Sequence, residues 1–161
     1  MATKTKPIWR VDRQRKFLVL HRDGFACRYC GIRPGSELLE VDHLVPRACG
    51  GTDNAENLVT SCKTCNGRKS DTILFPHDLI ERQDDDGWFV HKTFGEWLIV
   101  FSSDCIGIDN TFGYGFIDSS VMADKFFWSH MHEKAWPAKR VDDVFGAAAY
   151  LGRLMHLPLF Q

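Results

Sequence analysis

Residues 40–46 read Glu40-Val41-Asp42-His43-Leu44-Val45-Pro46, and a cysteine pair stands on either side: Cys27-Arg28-Tyr29-Cys30 before it and Cys62-Lys63-Thr64-Cys65 after it. The stretch Leu38 to Val45 is rich in branched residues and is closed by a proline, which predicts a strand. Alternation along a strand sends Asp42 and His43 to opposite faces, so one can hold a cation while the other addresses a water. Each Cys-x-x-Cys bends the backbone until two thiolates converge, and two such pairs supply the four ligands of a tetrahedral zinc site. With no coordination position left open, that zinc is structural. A redox pair would be a single Cys-x-x-Cys beside a βαβ pattern, and the sequence shows no such pattern. A disulfide framework needs an oxidising compartment, to which nothing here directs the chain.

Working outward, residues 1–10 read as a basic arm and Val11 to His21 as a helix, with Phe17, Leu18 and Leu20 as its apolar contacts and Asp23-Gly24 as the turn that ends it. After the strand, Gly50-Gly51-Thr52-Asp53-Asn54 is a loop, Leu58-Val59 is too short to assign, and a short helix runs from about Asn66 to Ser70. Asn66 follows Cys65 directly, so the zinc site sets where its side chain points. Carboxylate and amide oxygens are hard ligands suited to magnesium or manganese, which makes Asp42 and Asn66 a candidate second metal pair. A cation there would neutralise charge on a scissile phosphate, and an imidazole such as His43 is suited to accept a proton from the attacking water.

Taken together, Arg22-Asp23-Gly24, Cys27 and Cys30, Val41-Asp42-His43-Leu44-Val45-Pro46, Gly50-Gly51, Asn57-Leu58, and Cys62-x-x-Cys65-Asn66-x-x-Lys69 resemble the HNH endonuclease family, most of all its zinc-knuckle branch found in phages and bacterial restriction systems. The resemblance covers about residues 10–72. It implies an α+β chain built on a ββα-metal fold, with His43 as general base and Asp42 as metal ligand. Asn57 would be the family's middle Asn, which steadies the loop and the His by backbone hydrogen bonding. Asn66 falls where many members carry a histidine, making this an His-Asn-Asn version and tilting the second site toward oxygen-loving cations.

Charge location supports a polyanionic partner for the first half. Residues 1–72 hold 13 Lys/Arg against 8 Asp/Glu, a net of +5, while residues 73–161 hold 7 against 13, a net of −6. Arg68, Lys69, Arg47, Arg13 and Lys16 are the candidate DNA contacts. The chain divides on this reading into a nuclease domain at 1–75 and an acidic, aromatic-rich α+β region at 76–161. In the latter, Trp88 to Lys92 and Trp97 to Phe101 read as an antiparallel strand pair, Asp84 to Gly87 as a turn, and Asp118 to about Trp136 as a helix. Val141, Val144, Phe145, Ala148, Leu151 and Met155 then keep helical spacing to near Leu157. Its aromatics lack interleaved Lys/Arg, so they suit a core, a homodimer contact or a protein-docking surface better than a nucleic-acid platform. The longest apolar runs are far short of the ~20 residues of a membrane span, and residues 1–10 lack the apolar core of a secretory signal, so a cytoplasmic place is expected. The reading from another class is a catalytically silent zinc ribbon that binds nucleic acid or protein.

Overall fold

In the computed structural model, residues 11–83, 89–95, 97–110, 113–118, 127–129 and 138–156 are described. Asp12 starts the first helix: its carboxylate accepts from the Arg15 N–H at 2.9 Å and caps α1 (Arg13–Arg22), satisfying a donor that the first helical turn leaves unpaired. The helix stops at Asp23, where Gly24 takes φ 64° and Phe25 φ 52°. Its apolar face differs from expectation. Val19 is the buried residue, whereas Phe17 and Leu18 are 56% and 57% exposed. The helix meets the strands along a narrow stripe, and only Val19 lies at its centre.

The expected strand is shorter than predicted. β1 (Leu39–His43) pairs antiparallel with β2 (Leu58–Cys62), with Leu39 opposite Cys62 and His43 opposite Leu58. Leu44 and Val45 leave the ladder and enter the core. Leu58-Val59, unassignable from sequence, opens β2, whose five residues are all buried. α2 (Lys63–Lys69) follows at once, with the Cys62 sulfur as its N-cap.

Among the described residues, the second half holds a six-stranded antiparallel meander of β3 (Arg82–Gln83), β4 (Phe89–Phe94), β5 (Trp97–Phe101), β6 (Cys105–Asn110), β7 (Gly113–Asp118) and β8 (Phe127–Ser129), hydrogen-bonded in chain order. The β4–β5 pair matches the reading of Trp97 to Phe101 and its partner. The helix expected from Asp118 to Trp136 is corrected within the described residues: Phe127 pairs with Phe116 across a strand ladder. Three consecutive aromatic and hydroxyl residues fit a pleated surface beside an open strand edge better than a helix turn. The rest of 119–137, including His130 and His132, lies outside the described residues, as does Asp84 to Gly87. α3 (Ala138–Leu154) is the predicted C-terminal helix, and its Ala148 and Leu151, with the adjoining Met155, are buried. No helix among the described residues is long and apolar enough to cross a membrane.

One hydrophobic cluster joins these parts. Leu44, Val45, Val59, Ile73 and Phe75 pack with Trp97, Ile99, Phe101, Ile106, Ile108 and the inner face of α3. The boundary drawn at residue 75 falls inside it, since Phe75 stacks on His91 with ring centroids 3.8 Å apart. α3 then returns to the loop between β1 and β2. Thr52 N–H donates to Leu154 O at 2.8 Å, and His156 N–H to Gly50 O at 2.9 Å. Thr52 Oγ1 and Asn54 Nδ2 both donate to the carbonyl of Arg153.

Candidate functional site

The four cysteines converge. Cys27 and Cys30 come from the turn after α1, Cys62 from the end of β2 and Cys65 from the first turn of α2; their sulfurs all lie within 4.8 Å of one another. Cys30 and Cys62 Sγ are 3.8 Å apart, the edge of a tetrahedron with zinc–sulfur bonds of about 2.3 Å. Burial opposes ionisation of Cys27, but the N–H groups of Cys62, Cys30 and Tyr29 outweigh it and bring the thiol down to about 7. Burial pushes Cys62 up to about 11, with its contact to Glu37 adding to the shift, and Cys65 is raised as well, by burial first. Four thiolates so close together require a compensating cation, and the donor set fits zinc. This site ties the α1 turn to β2 and α2. Asp23, buried in the same turn, reinforces the tie. It accepts from Thr60 N–H at 2.7 Å and Arg22 Nε at 2.7 Å, and these bonds hold its carboxyl low although burial alone would raise it.

Asn57 is fully buried between the strands. Its Oδ1 accepts from Val45 N–H at 2.8 Å, and its Nδ2 donates to Val45 O at 3.0 Å and Thr52 O at 2.9 Å. An Asn amide offers an acceptor and two donors, and all are used here to lock the end of β1 to the following loop. Gly51 makes this possible: a Cβ there would sit 1.8 Å from Val45 O.

Asp42 and His43 do face apart. Asp42, buried, accepts from Tyr29 OH at 2.9 Å and lies 3.4 Å from Lys69 Nζ. Burial, and then the Asp42 charge, raise the Tyr29 hydroxyl and keep it a donor. Lys69 also donates to His43 O at 2.6 Å, and its side chain is only 1% exposed. The ammonium, expected to contact phosphate, lies against Asp42 and the β1 backbone. Burial pulls its pKa below the ordinary lysine value, while Asp42 works against that shift. Asn66 Nδ2 donates to Glu40 Oε2 at 2.9 Å. Glu40 and Asp42, two apart on β1, share a face. Among the described residues, the four cysteines are the only cluster of three or more His, Cys, Asp or Glu arranged to hold a metal.

On the other face, His43 Nε2 lies 2.8 Å from Asp53 Oδ1. Arg47, an expected DNA contact, pairs with Asp53 Oδ2. Arg68, Arg13 and Lys16 remain exposed. Tyr29 and Asp53 were missed. Tyr29 sits between two ligands, where the spacing drew attention to the cysteines alone, and Asp53 is brought to His43 only by the path of its loop.

These features define a zinc-type four-cysteine module made of two strands and a helix, joined to an antiparallel sheet. Residues 27–72 match the model of the HNH endonuclease family. Over 54 residues the chain is 44% identical to the CRISPR-associated endonuclease Cas9 of Actinomyces naeslundii, covering 33% of this chain. Over 58 residues it is 40% identical to the Cas9 of Corynebacterium diphtheriae, covering 35% of this chain. In each case the match spans 5% of the relative's length. No solved structure gives a significant match.

Proposed function

We propose that this chain is a metal-dependent endonuclease that hydrolyses DNA phosphodiester bonds, nicking with one site and cutting both strands where two copies assemble. The observation that supports this most is the Asn57 clamp, whose bonds to both backbone groups of Val45 fix the end of the strand that carries Asp42 and His43. A structural zinc module has no need of a buried amide at that point. Asp42 and the amide oxygen of Asn66, with Glu40 beside them, would hold a magnesium or manganese ion, and their oxygen donors suit such a hard cation. When bound, that ion supplies Lewis-acid stabilisation of charge on the phosphate and leaving oxygen. His43 takes the proton of the attacking water. Asn57 keeps the base in place, and Lys69 compensates the Asp42 charge inside the protein. Exposed Arg68, Arg13 and Lys16 supply phosphate contacts, with Arg47 nearby, and the acting place is the cytoplasm. The second half packs against this unit and is the surface for a second copy or a protein partner.

One observation favours the rival reading of a catalytically silent zinc module: the Asp42 carboxylate is already engaged by Tyr29 and Lys69. A supercoiled-plasmid nicking assay with magnesium, manganese or EDTA decides between them. Cleavage that requires the cation and is abolished in His43→Ala, with DNA affinity retained, supports the nuclease. Binding without cleavage under every cation supports the silent module.

A further inference from the structure

The His43–Asp53 contact has a chemical consequence. A carboxylate oxygen only accepts hydrogen bonds, so at 2.8 Å the shared proton belongs to His43 Nε2. Arg47 Nε stands 3.3 Å from the same nitrogen, and its guanidinium binds the other oxygen of Asp53. Nε2–H cannot donate to Asp53 and accept from Arg47 at once. The shorter, charge-assisted contact decides, and Arg47 acts on the carboxylate rather than on the ring. The backbone of Thr52 and Asp53 is held from three directions. Arg15 donates to Asp53 O at 2.9 Å, Asn57 Nδ2 to Thr52 O at 2.9 Å, and Thr52 N–H to Leu154 O at 2.8 Å. The loop that carries the carboxylate is thus fixed by α1, by the buried amide and by the end of α3.

We propose that Asp53 is the positioning residue of His43: it holds the neutral imidazole as the Nε2–H tautomer, which leaves Nδ1 as the nitrogen that takes the proton from water. The proposal rests on the nuclease reading of His43 given above. As that proton arrives at Nδ1, the ring becomes cationic, and the Asp53 carboxylate stabilises the charge from the far side without touching substrate. Arg47 keeps the carboxylate aimed. Loss of Asp53 should therefore lower kcat and leave KM nearly unchanged, since the added stabilisation exists only as charge develops.

The test uses the full chain with 15N-labelled histidine. In the wild type, His43 should give a downfield, slowly exchanging ring proton correlated with Nε2, absent from His43→Ala. Asp53→Ala should remove that resonance and slow single-turnover plasmid nicking about 10²–10⁴-fold at unchanged KM. Asp53→Asn, which keeps shape and drops only charge, should fold like the wild type, shift the resonance upfield and lose most of the rate. Asp53→Glu should recover part of both. An unchanged His43 resonance in the Ala variant overturns the proposal. So does an Ala variant that nicks as fast as the wild type or faster, because Asp53 would then mask the ring. If no chain nicks DNA while the resonance is present and Asp53-dependent, the positioning contact stands and the nuclease reading fails.

Discussion

Glu56 Oε1 lies 3.2 Å from Arg153 Nε, an ion pair that joins the loop ahead of β2 to the last turn of α3. The two residues lie on either side of the limit of the family match, which ends at residue 72. The pair is partly exposed and contributes little alone, at most about 1 kcal/mol. The backbone bonds beside it, from Thr52 to Leu154 and from His156 to Gly50, are the stronger coupling. Arg153→Ala should shift a urea midpoint slightly. Ending the chain at residue 75 should instead strip the cover from Leu44, Val45, Val59 and Phe75 and give insoluble protein. A soluble 1–75 fragment with native amide-exchange protection would show that the shared core is dispensable.

Gly51→Ala tests the Asn57 clamp without touching it. The new methyl would meet Val45 O at 1.8 Å and Asn57 Nδ2 at 2.8 Å, so the loop must move. A loss of about 3 kcal/mol is expected by urea unfolding, similar to Asn57→Ala, which leaves the Val45 and Thr52 groups without their partner. The double variant should cost far less than the sum, because both changes break the same contact.

Lys69 and Arg68 are neighbours with opposite environments, and salt titrations separate them. Arg68→Ala should weaken DNA binding and reduce the slope of log affinity against log salt by about 0.9. Lys69→Met should leave that slope unaltered and destabilise the fold by about 3–5 kcal/mol, since it strands the buried Asp42 carboxylate. A changed slope for Lys69→Met would return that residue to the DNA surface.

His91 makes stability depend on pH. Its ring is buried, stacked on Phe75, 3.0 Å from Leu79 O through Nδ1 and 2.9 Å from the Tyr150 hydroxyl through Nε2. Burial drops its pKa from 6.5 to about 4, although the bond to Leu79 works the other way. Between those values the unfolded chain binds a proton that the folded ring refuses. Its favourable contribution is complete above pH 6.5 and is lost as the pH falls toward 4, by about 3 kcal/mol in all. Unfolding midpoints at pH 7 and 4.5 should show this slope, and His91→Gln should flatten it.

Zinc should be found at about one ion per chain and should resist a weak chelator. Cys27→Ser or Cys65→Ser should reduce soluble yield as well as activity, because the site ties the α1 turn to β2 and α2. Well-folded protein without zinc by elemental analysis would overturn the site.

What could be read from sequence was what short spacing enforces. A Cys-x-x-Cys places two sulfurs together by local backbone geometry, β-strand alternation separates Asp42 from His43, and α3 follows from apolar residues at helical intervals. The convergence of the two cysteine pairs followed from their chemistry, since four ligands of one type call for a shared ion. Other features depend on chain segments far apart in sequence. Phe127 to Ser129 became a strand because β7 offered an open edge, and Val19 rather than Phe17 became the buried residue of α1 because of where the strands run. Lys69 left the surface because Asp42 and the His43 carbonyl required a buried cation. Asp53 reached His43 because Asn57, Arg15 and the end of α3 hold its loop, contacts that span up to 101 residues between Thr52 and Arg153. No local pattern encodes such a meeting, since its energy comes from burying groups that only the completed fold brings together.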